Sequence, residues 1–344
     1  MKKKYSWQTF SAAALCAVLA IFLLALIFVT AYAHSMLSKI NRESDDGTLS
    51  LEDLASIMAD DDSDLDADAS DYVTIDDPDD VTLATASDVI ASDGVIQVML
   101  IGQDRRAGET YRTRSDAMIL VTVDTTINSV TLTSFMRDLY VSIPGYSNNK
   151  LNAAYPFGGL SLLSETLALN FGVQVDDFLV CDFTGFPEVI DILGGVSIEL
   201  TSAEASYLNS NFGYSLSAGT TLLTGEQALN YSRIRYIGTD VERTNRQRKV
   251  ISSIIESCRS ITLSQALELA NEFLPCLSTN MTNEEIISLV TQLYPLLADC
   301  TIVSQRIPYD GSYYFATISG MSVVVADLEA NQQYLIDTLS PSGS

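Results

Sequence analysis

The cationic side chains of the folded part of this sequence are few and gathered. From Gly94 to the C-terminus there are 14 Lys and Arg. Arg105, Arg106, Arg112 and Arg114 fall in one loop, Arg137 and Lys150 in a second region, and Arg233, Arg235, Arg243, Arg246, Arg248 and Lys249 in a third, with only Arg259 and Arg306 elsewhere. The same stretch has a net charge of −12. It does not need cations for solubility, so concentrating them points to convergence on an anion. Twelve of the 14 are Arg, whose planar guanidinium makes bidentate hydrogen bonds to phosphate oxygens. Asp104 and Asp116 lie among the first group. They are either salt-bridge partners or ligands of Mg²⁺, a hard cation that takes carboxylates together with phosphate oxygens. For any single arginine, an ordinary surface ion pair such as Arg243 with Asp240 or Arg114 with Asp116 is the simpler account. It is the set that indicates a phosphate site.

Several chemistries are excluded by what is missing. The only histidine is His34, close to the N-terminal apolar run, so the domain has no Ser-His-Asp triad, no Cys-His dyad and no histidine-rich zinc site. No Gly-x-x-x-x-Gly-Lys-Ser/Thr loop occurs. An acidic domain with these few cations is a poor partner for nucleic acid.

The elements that must position the cations follow from hydrophobic pattern. Val95–Ile101 reads as a buried strand ending at Gly102 and Asp104, and Ala117–Asp124 and Ser129–Phe135 as two more strands joined by the polar turn 125–128. Helical spacing follows at Leu160–Phe171, strands at Asp177–Phe183 and Val196–Leu200, and a helix at Phe186–Leu193 that Gly194-Gly195 terminates. After a helix at Gly225–Tyr231 comes a long one at Val241–Arg259. The tail carries helices at Ser264–Phe273, Asn283–Leu297 and Asp327–Leu339 with strands at Cys300–Arg306 and Tyr313–Val325. Helices alternating with strands indicate an α/β sandwich with a mixed sheet. Asp104 and Arg137 each follow a strand, and crevices off strand ends are where such sheets bind ligands. On the long helix Arg243 and Gln247 continue the apolar stripe of Val250, Ile251, Ile254, Ile255 and Cys258. A guanidinium there, on the first turn and the wrong end of the helix dipole, is relieved by a nearby anion.

The net charge of −25 is unevenly spread, with +5 over residues 1–42 and −18 over 43–93. Lys2, Lys3 and Lys4 precede an uncharged apolar run over 10–33, longer than the ~20 residues a helix needs to cross a bilayer. The basic-before, acidic-after flanks predict a cytoplasmic N-terminal tail over 1–9, a single-pass anchor over 10–33 and an exterior domain beyond it. A cleavable signal peptide is the competing reading, because Ala31-Tyr32-Ala33 resembles a cleavage site, although the run exceeds the usual ~7–15-residue signal core. Residues 34–93, rich in Asp and Ser, predict an extended, disordered acidic stalk. The domain is expected over 94–344, with a core at 95–258 and its completion at 259–344. In an oxidising exterior Cys181, Cys258, Cys276 and Cys300 allow three connectivities. Cys276 with Cys300 is the preferred pair, and unpaired buried cysteines fit as well.

Taken in order, these residues resemble the LytR-CpsA-Psr family. The blocks are Leu100-Ile101-Gly102-Gln103-Asp104-Arg105, Arg114-Ser115-Asp116-Ala117-Met118, Ser134-Phe135-Met136-Arg137-Asp138, Lys150-Leu151-Asn152-Ala153-Ala154-Tyr155, Leu223-Thr224-Gly225-Glu226-Gln227-Ala228-Leu229, Tyr231-Ser232-Arg233-Ile234-Arg235 and Asp240-Val241-Glu242-Arg243-Thr244-Asn245-Arg246-Gln247. The resemblance implies a three-layer α/β/α sandwich around a mixed sheet, with a hydrophobic pocket for the prenyl tail of a lipid carrier. It implies pyrophosphate binding by Arg114, Arg137, Lys150, Arg233, Arg235, Arg243 and Gln247, catalytic roles for Arg137, Arg233, Arg235 and Asp240, and Mg²⁺, or Mn²⁺ in its place, on Asp104 and Asp116. The activity implied is transfer of a glycan phosphate from a polyprenyl-pyrophosphate carrier to peptidoglycan in a Gram-positive-type envelope. A pyrophosphatase using water instead, or a lipid-binding regulator without turnover, are the alternatives. Met136 stands where the family usually has Pro, and the segment from Tyr236 to Asp240 is short.

Overall fold

Two faces of one sheet organise the chain. The structure, a computed structural model, describes residues 32–43, 72–86, 90, 95–103, 115–182, 186–234, 237–238 and 240–339, with the side chains of Asp116, Asp182, Asp240 and Leu263 outside that description. In chain order the strands and helices are β1 (Asn41–Arg42), β2 (Tyr72–Ile75), β3 (Val95–Gln103), β4 (Ser115–Asp124), β5 (Ser129–Phe135), β6 (Tyr140–Val141), β7 (Asn149–Lys150), α1 (Ala154–Phe171), β8 (Asp177–Asp182), α2 (Phe186–Ile192), β9 (Val196–Leu200), α3 (Ser202–Phe212), β10 (Gly219–Leu223), α4 (Gly225–Ser232), α5 (Asp240–Cys258), α6 (Leu263–Phe273), β11 (Leu277–Thr279), α7 (Asn283–Leu293), β12 (Thr301–Ile307), β13 (Tyr313–Ile318), β14 (Met321–Ala326) and α8 (Leu328–Leu339).

Seven strands pair in the order β1-β11-β8-β3-β4-β5-β12. β8, β3, β5 and β12 run one way, since β3 is parallel to β8 and β12 to β5, while β4 is antiparallel to both its neighbours and β11 to β8. Because side chains alternate across a strand, Met99, Ile101, Met118, Leu120 and Phe135 face one way and meet Leu163, Leu167 and Phe171 of α1 and Leu335 of α8. Ile96, Leu100, Ile119, Val121, Val130 and Leu132 face the other, toward Ile251 and Ile255 of α5 and Leu293 of α7. Helices on both faces make the predicted three layers, and the sheet is mixed as expected.

Four helices begin alike. Thr201, Thr224, Thr262 and Thr282 each accept from the backbone three residues on, and Glu204, Gln227, Gln265 and Glu285 reach back to the capping residue. This reciprocal box satisfies two otherwise orphan N–H groups. α1 starts earlier than its periodicity predicts, because residues 154–157 form a separate turn before Gly158 and Gly159, whose backbone is non-helical. From Leu160 onward the expected helix stands.

Three expectations are corrected. The segment over 34–93 is not wholly an extended stalk: β1 pairs with β11, β2 pairs with β13, and Val81 and Ile90 are buried. Tyr313–Val325 is a hairpin of two strands, turned at Ser319-Gly320 where both residues have positive φ. Cys276 and Cys300 do not form the preferred disulfide with each other. Among the described residues no helix is long and apolar enough to cross a membrane; the run over 10–33 lies outside them except for its last two residues.

Candidate anion site at the carboxyl ends of the sheet

The second basic region is built by the turn that follows β5. Met136 N–H donates to Ile307 O of β12 at 3.0 Å, extending the strand by one residue. The chain then reverses, and Tyr140↔Lys150 and Val141↔Asn149 pair as the short ribbon β6–β7. Leu151 N–H donates to Leu139 O at 2.8 Å and Asn152 N–H to Arg137 O at 3.0 Å, clamping Lys150 alongside the turn. Val324 N–H of β14 donates to Asp138 O at 2.9 Å from behind. The side chains meet on Asp138: its Oδ2 accepts from Arg137 Nε at 3.2 Å and its Oδ1 from Lys150 Nζ at 3.1 Å. All three residues are buried, at 6, 2 and 1% exposure for Arg137, Asp138 and Lys150. One carboxylate thus holds two cations at fixed positions in a site with little water, where a charge acts over a longer reach than at the surface.

The other predicted groups arrive at the same end of the sheet by topology. β3 and β4 close on the pair Gln103↔Ser115, with a bulge between Gly102 and Gln103, so Asp104 and Arg114 follow and precede paired positions. Beyond Met118↔Phe135 in the β4–β5 ladder, the next residues are Ala117 and Asp116 on one strand and Met136 and Arg137 on the other. Asp182, which sequence reading left inside a strand, ends β8 in register with Gln103. The carboxyl ends of β3, β5 and β8 therefore gather here, as ligand sites in open α/β sheets require. Asp104, Arg114 and Arg235 lie outside the described residues, as do the side chains of Asp116 and Asp240.

α5 brings the third group. Asp240 is its first residue, and Val241 packs on the core that contains Met136, Leu139 and Leu151. Arg243 is buried at 6% exposure and Gln247 half-buried, in keeping with a place on the core-facing stripe. Arg233 is different: it caps the C-terminal end of α4 and is exposed. Arg246 has a structural task. Its Nε donates to Glu204 Oε1 at 2.9 Å, its Nη1 to Ile234 O at 2.9 Å, and its Nη2 to Ile237 O. It thereby ties down both sides of the segment that carries Arg235. Arg306 is likewise committed, to Pro308 O, to Asp310 and to the sulfur of Met136 at 3.5 Å.

The donor set suits a hard divalent cation. Carboxylates such as those of Asp104 and Asp116 are the ligand type that Mg²⁺ takes alongside phosphate. Among the described residues there is no group of three His, Cys, Asp or Glu placed to hold a metal.

The order of these blocks matches a known family over most of the chain: the LytR_cpsA_psr family model covers residues 61–336. The chain belongs to the LytR_cpsA_psr family. The matched region opens within the acidic segment, in accord with β2 being part of the fold rather than of a spacer. Among curated relatives of this LytR_cpsA_psr chain, the regulatory protein MsrR of Staphylococcus aureus is 36% identical over 168 residues, 48% of this chain and 50% of that protein. The polyisoprenyl-teichoic acid–peptidoglycan teichoic acid transferase TagU of Enterococcus faecalis is 35% identical over 191 residues, 54% of this chain and 60% of its own length. The chain thus spans about half the length of the curated relatives it matches. Solved structures agree over more of it. TagT bound to LIIa-WTA superposes with a TM-score of 0.59 at 27% identity, covering 72% of this chain and 89% of that one. Bacillus subtilis TagT gives 0.58 at 25%, covering 78% and 94%, and TagT with bound octaprenyl pyrophosphate lipid gives 0.56 at 25%, covering 72% and 90%.

Proposed function

We propose that this chain is a phosphotransferase of the cell envelope that moves a glycan phosphate from a polyprenyl-pyrophosphate carrier onto peptidoglycan. The observation that carries the reading is the buried Arg137–Asp138–Lys150 cluster at the carboxyl ends of the sheet. On the sheet face opposite the core that holds Met136 and Leu139, apolar side chains are incompletely covered: Ile96, Leu100, Val121, Ile251, Ile255 and Leu293 are all only half-buried. Fixed cations at the end of a sheet with apolar faces suit a molecule with a greasy tail and a diphosphate head. The name borne by TagU and the lipid bound to TagT support the same assignment.

In this reading Arg137, held by its Nε on Asp138, presents its guanidinium to the diphosphate, with Arg114, Lys150, Arg233, Arg235, Arg243 and Gln247 as further binding groups. Such preorganised donors stabilise the charge spread over the phosphate oxygens as the transferred group loosens. A hydroxyl of the wall glycan attacks the glycan-proximal phosphorus, the bond to the bridging oxygen breaks, and polyprenyl phosphate departs. Asp138 is committed to its two cations, so Asp240 is assigned the hydroxyl's proton. Asp104 and Asp116 would hold Mg²⁺ or Mn²⁺, which would supply charge neutralisation at the phosphates. The run over 10–33 anchors the chain in the cell membrane with its N-terminus cytoplasmic and the domain outside.

The test is transfer by the purified full chain, supplied with a short-prenyl pyrophosphate-linked glycan, Mg²⁺ and a wall oligosaccharide. Arg137→Ala or Arg235→Ala should lower turnover by at least ~10²-fold, the loss typical when one charge-stabilising donor is removed, with the circular dichroism spectrum unchanged. Near-normal turnover in either variant would refute the site. Because MsrR is named a regulatory protein, a second outcome is informative: tight lipid binding with no wall-linked product would mark a regulator.

A further inference from the structure

Another face of α5 carries a cation that this reaction does not use. Arg248 is buried at 6% exposure, its Nε donates to Ser304 Oγ of β12 at 2.7 Å, and its Nη1 has no hydrogen-bond partner. Among the described residues no carboxylate pairs with it. Burial, and then the charge of Arg306, pulls its pKa down to about 10. Arg306 is itself matched by Asp310 and Pro308 O, so the two guanidiniums do not compete for one counterion. A buried unpaired charge is strongly unfavourable, and an unsatisfied buried donor calls for an explanation in ligand or role.

Arg248 lines a cavity of about 370 Å³ between α5, β12 and α8, with Asn245, Arg306, Tyr309 and Tyr334. The two tyrosine rings lie 5.0 Å apart, tilted by 33°, and Asn245 is exposed. Glu242 and Asp310 also line it, but the Glu242 carboxyl folds back over Gly238, where a Cβ would stand 2.9 Å from Glu242 Cδ, and the Asp310 carboxyl is paired with Arg306. A small inorganic anion would need the guanidinium alone. Aromatic faces for C–H surfaces, an amide for hydroxyls and one buried cation for an acid group together describe a sugar ring bearing a negative charge. The cavity also borders the site above: Arg306 touches Met136, the residue before Arg137, and Val241 precedes Arg243 by less than a turn.

We infer that this cavity is a subsite for an anionic saccharide, in which Arg248 pairs with the carboxylate or phosphate of a sugar unit while the Arg137 cluster holds the diphosphate. The assignment of that sugar to wall or donor polymer rests on the proposed transferase reading; the binding itself does not.

The full chain in lipid nanodiscs is titrated with three probes: a disaccharide of N-acetylglucosamine and N-acetylmuramic acid, its carboxyl methyl ester, and a short glycerol-phosphate oligomer. Binding of a prenyl pyrophosphate is measured in parallel. Binding of either charged probe, at least tenfold weaker in Arg248→Gln and with prenyl pyrophosphate affinity unchanged, supports the subsite. The carboxylate probe points to the acceptor, the phosphate probe to the donor polymer. Failure of both charged probes, equal affinity for the methyl ester, or undiminished binding in Arg248→Gln overturns it. Loss of prenyl pyrophosphate binding in the wild type would instead sink the transferase reading and leave the subsite result to stand. Arg248→Met should unfold at the wild-type temperature or above it, since it removes an unpaired buried charge at little cost in volume. A fall of more than ~4 °C would mean that Arg248 is a strut and would overturn the subsite too.

Discussion

Single charged residues here divide into those that hold the fold and those proposed to meet a ligand. Glu204 and Arg246 belong to the first kind. Burial pushes the Glu204 carboxyl up, but the backbone N–H of Thr201, Arg246 Nε and the Thr201 hydroxyl outweigh it and hold the carboxyl below its ordinary value of 4.5. A depressed folded pKa contributes stability that is complete above the unfolded value and lost as pH falls through the folded one. The melting temperature of Glu204→Gln should therefore lie furthest below wild type near neutral pH, and the gap should close as pH drops below 4.5. Thermal melts from pH 7 to 3 check this, and a gap independent of pH would remove the Glu204–Arg246 pair from the acid response. Legibility follows the same division. Arg137, Lys150 and Arg243 could be singled out because their type and placement are anomalous in an acidic domain. The bridging work of Asp138 could not, because it depends on a ribbon of two residues per strand with no periodicity to read. Arg246 was grouped with the ligand-facing arginines, and only the fold reveals that its partner is 42 residues away.

At the scale of elements, long periodic runs were readable and short ones were not. β5 and β9 have the expected bounds to the residue, and α5 is displaced by one. By contrast β1, β2, β10 and β11 escaped notice; in β2 and β10 the side chains are exposed or only half-buried but for one, so no apolar alternation marks them. α3 was missed as well, although Thr201 and Glu204 spell its capping box. One close approach fixes α4, the helix that delivers Arg233. A Cβ at Gly225 would stand 1.9 Å from Pro187 O of α2, and Gly225 N–H donates to Asp191 Oδ1 at 2.8 Å. Backbone against backbone has no rotamer by which to yield. Gly225→Ala should therefore force α4 off α2, costing ~1–3 kcal/mol as overpacking does, and lower transfer by displacing the 233–235 segment. Denaturant unfolding and the transfer assay together test this. Unchanged stability would show that the two helices slide freely.

For the whole molecule, the acidic N-terminal region is the part whose role changes most. Composition read residues 34–93 as a spacer, and its charge does argue for extension where nothing is paired. Yet Leu37 and Ile40 are buried with Leu277, Met281 and Ile286, and Val81 is buried with Ala316, Ile318 and Val323. Tyr155, wholly buried, donates its hydroxyl to Glu43. β1 and β2 also cover the outer strands β11 and β13, which would otherwise present unpaired backbone. Apolar side chains at a few spaced positions were outvoted by the surrounding acids in any composition average, which is why the sequence pattern hid them. Each buried aliphatic side chain contributes on the order of 1.5–3 kcal/mol relative to exposure, an upper figure since the unfolded chain is partly compact. A chain beginning at Gly94 should therefore be several kcal/mol less stable than one beginning at Tyr72, which in turn should fall below one beginning at Tyr32, and the shortest should self-associate through its uncovered strand edges. Chemical denaturation and light scattering on the three lengths decide the matter. Equal midpoints would return residues 34–93 to the status of a tether, whereas a stepwise loss would make them the outer staves of the domain that holds Asp138 in place.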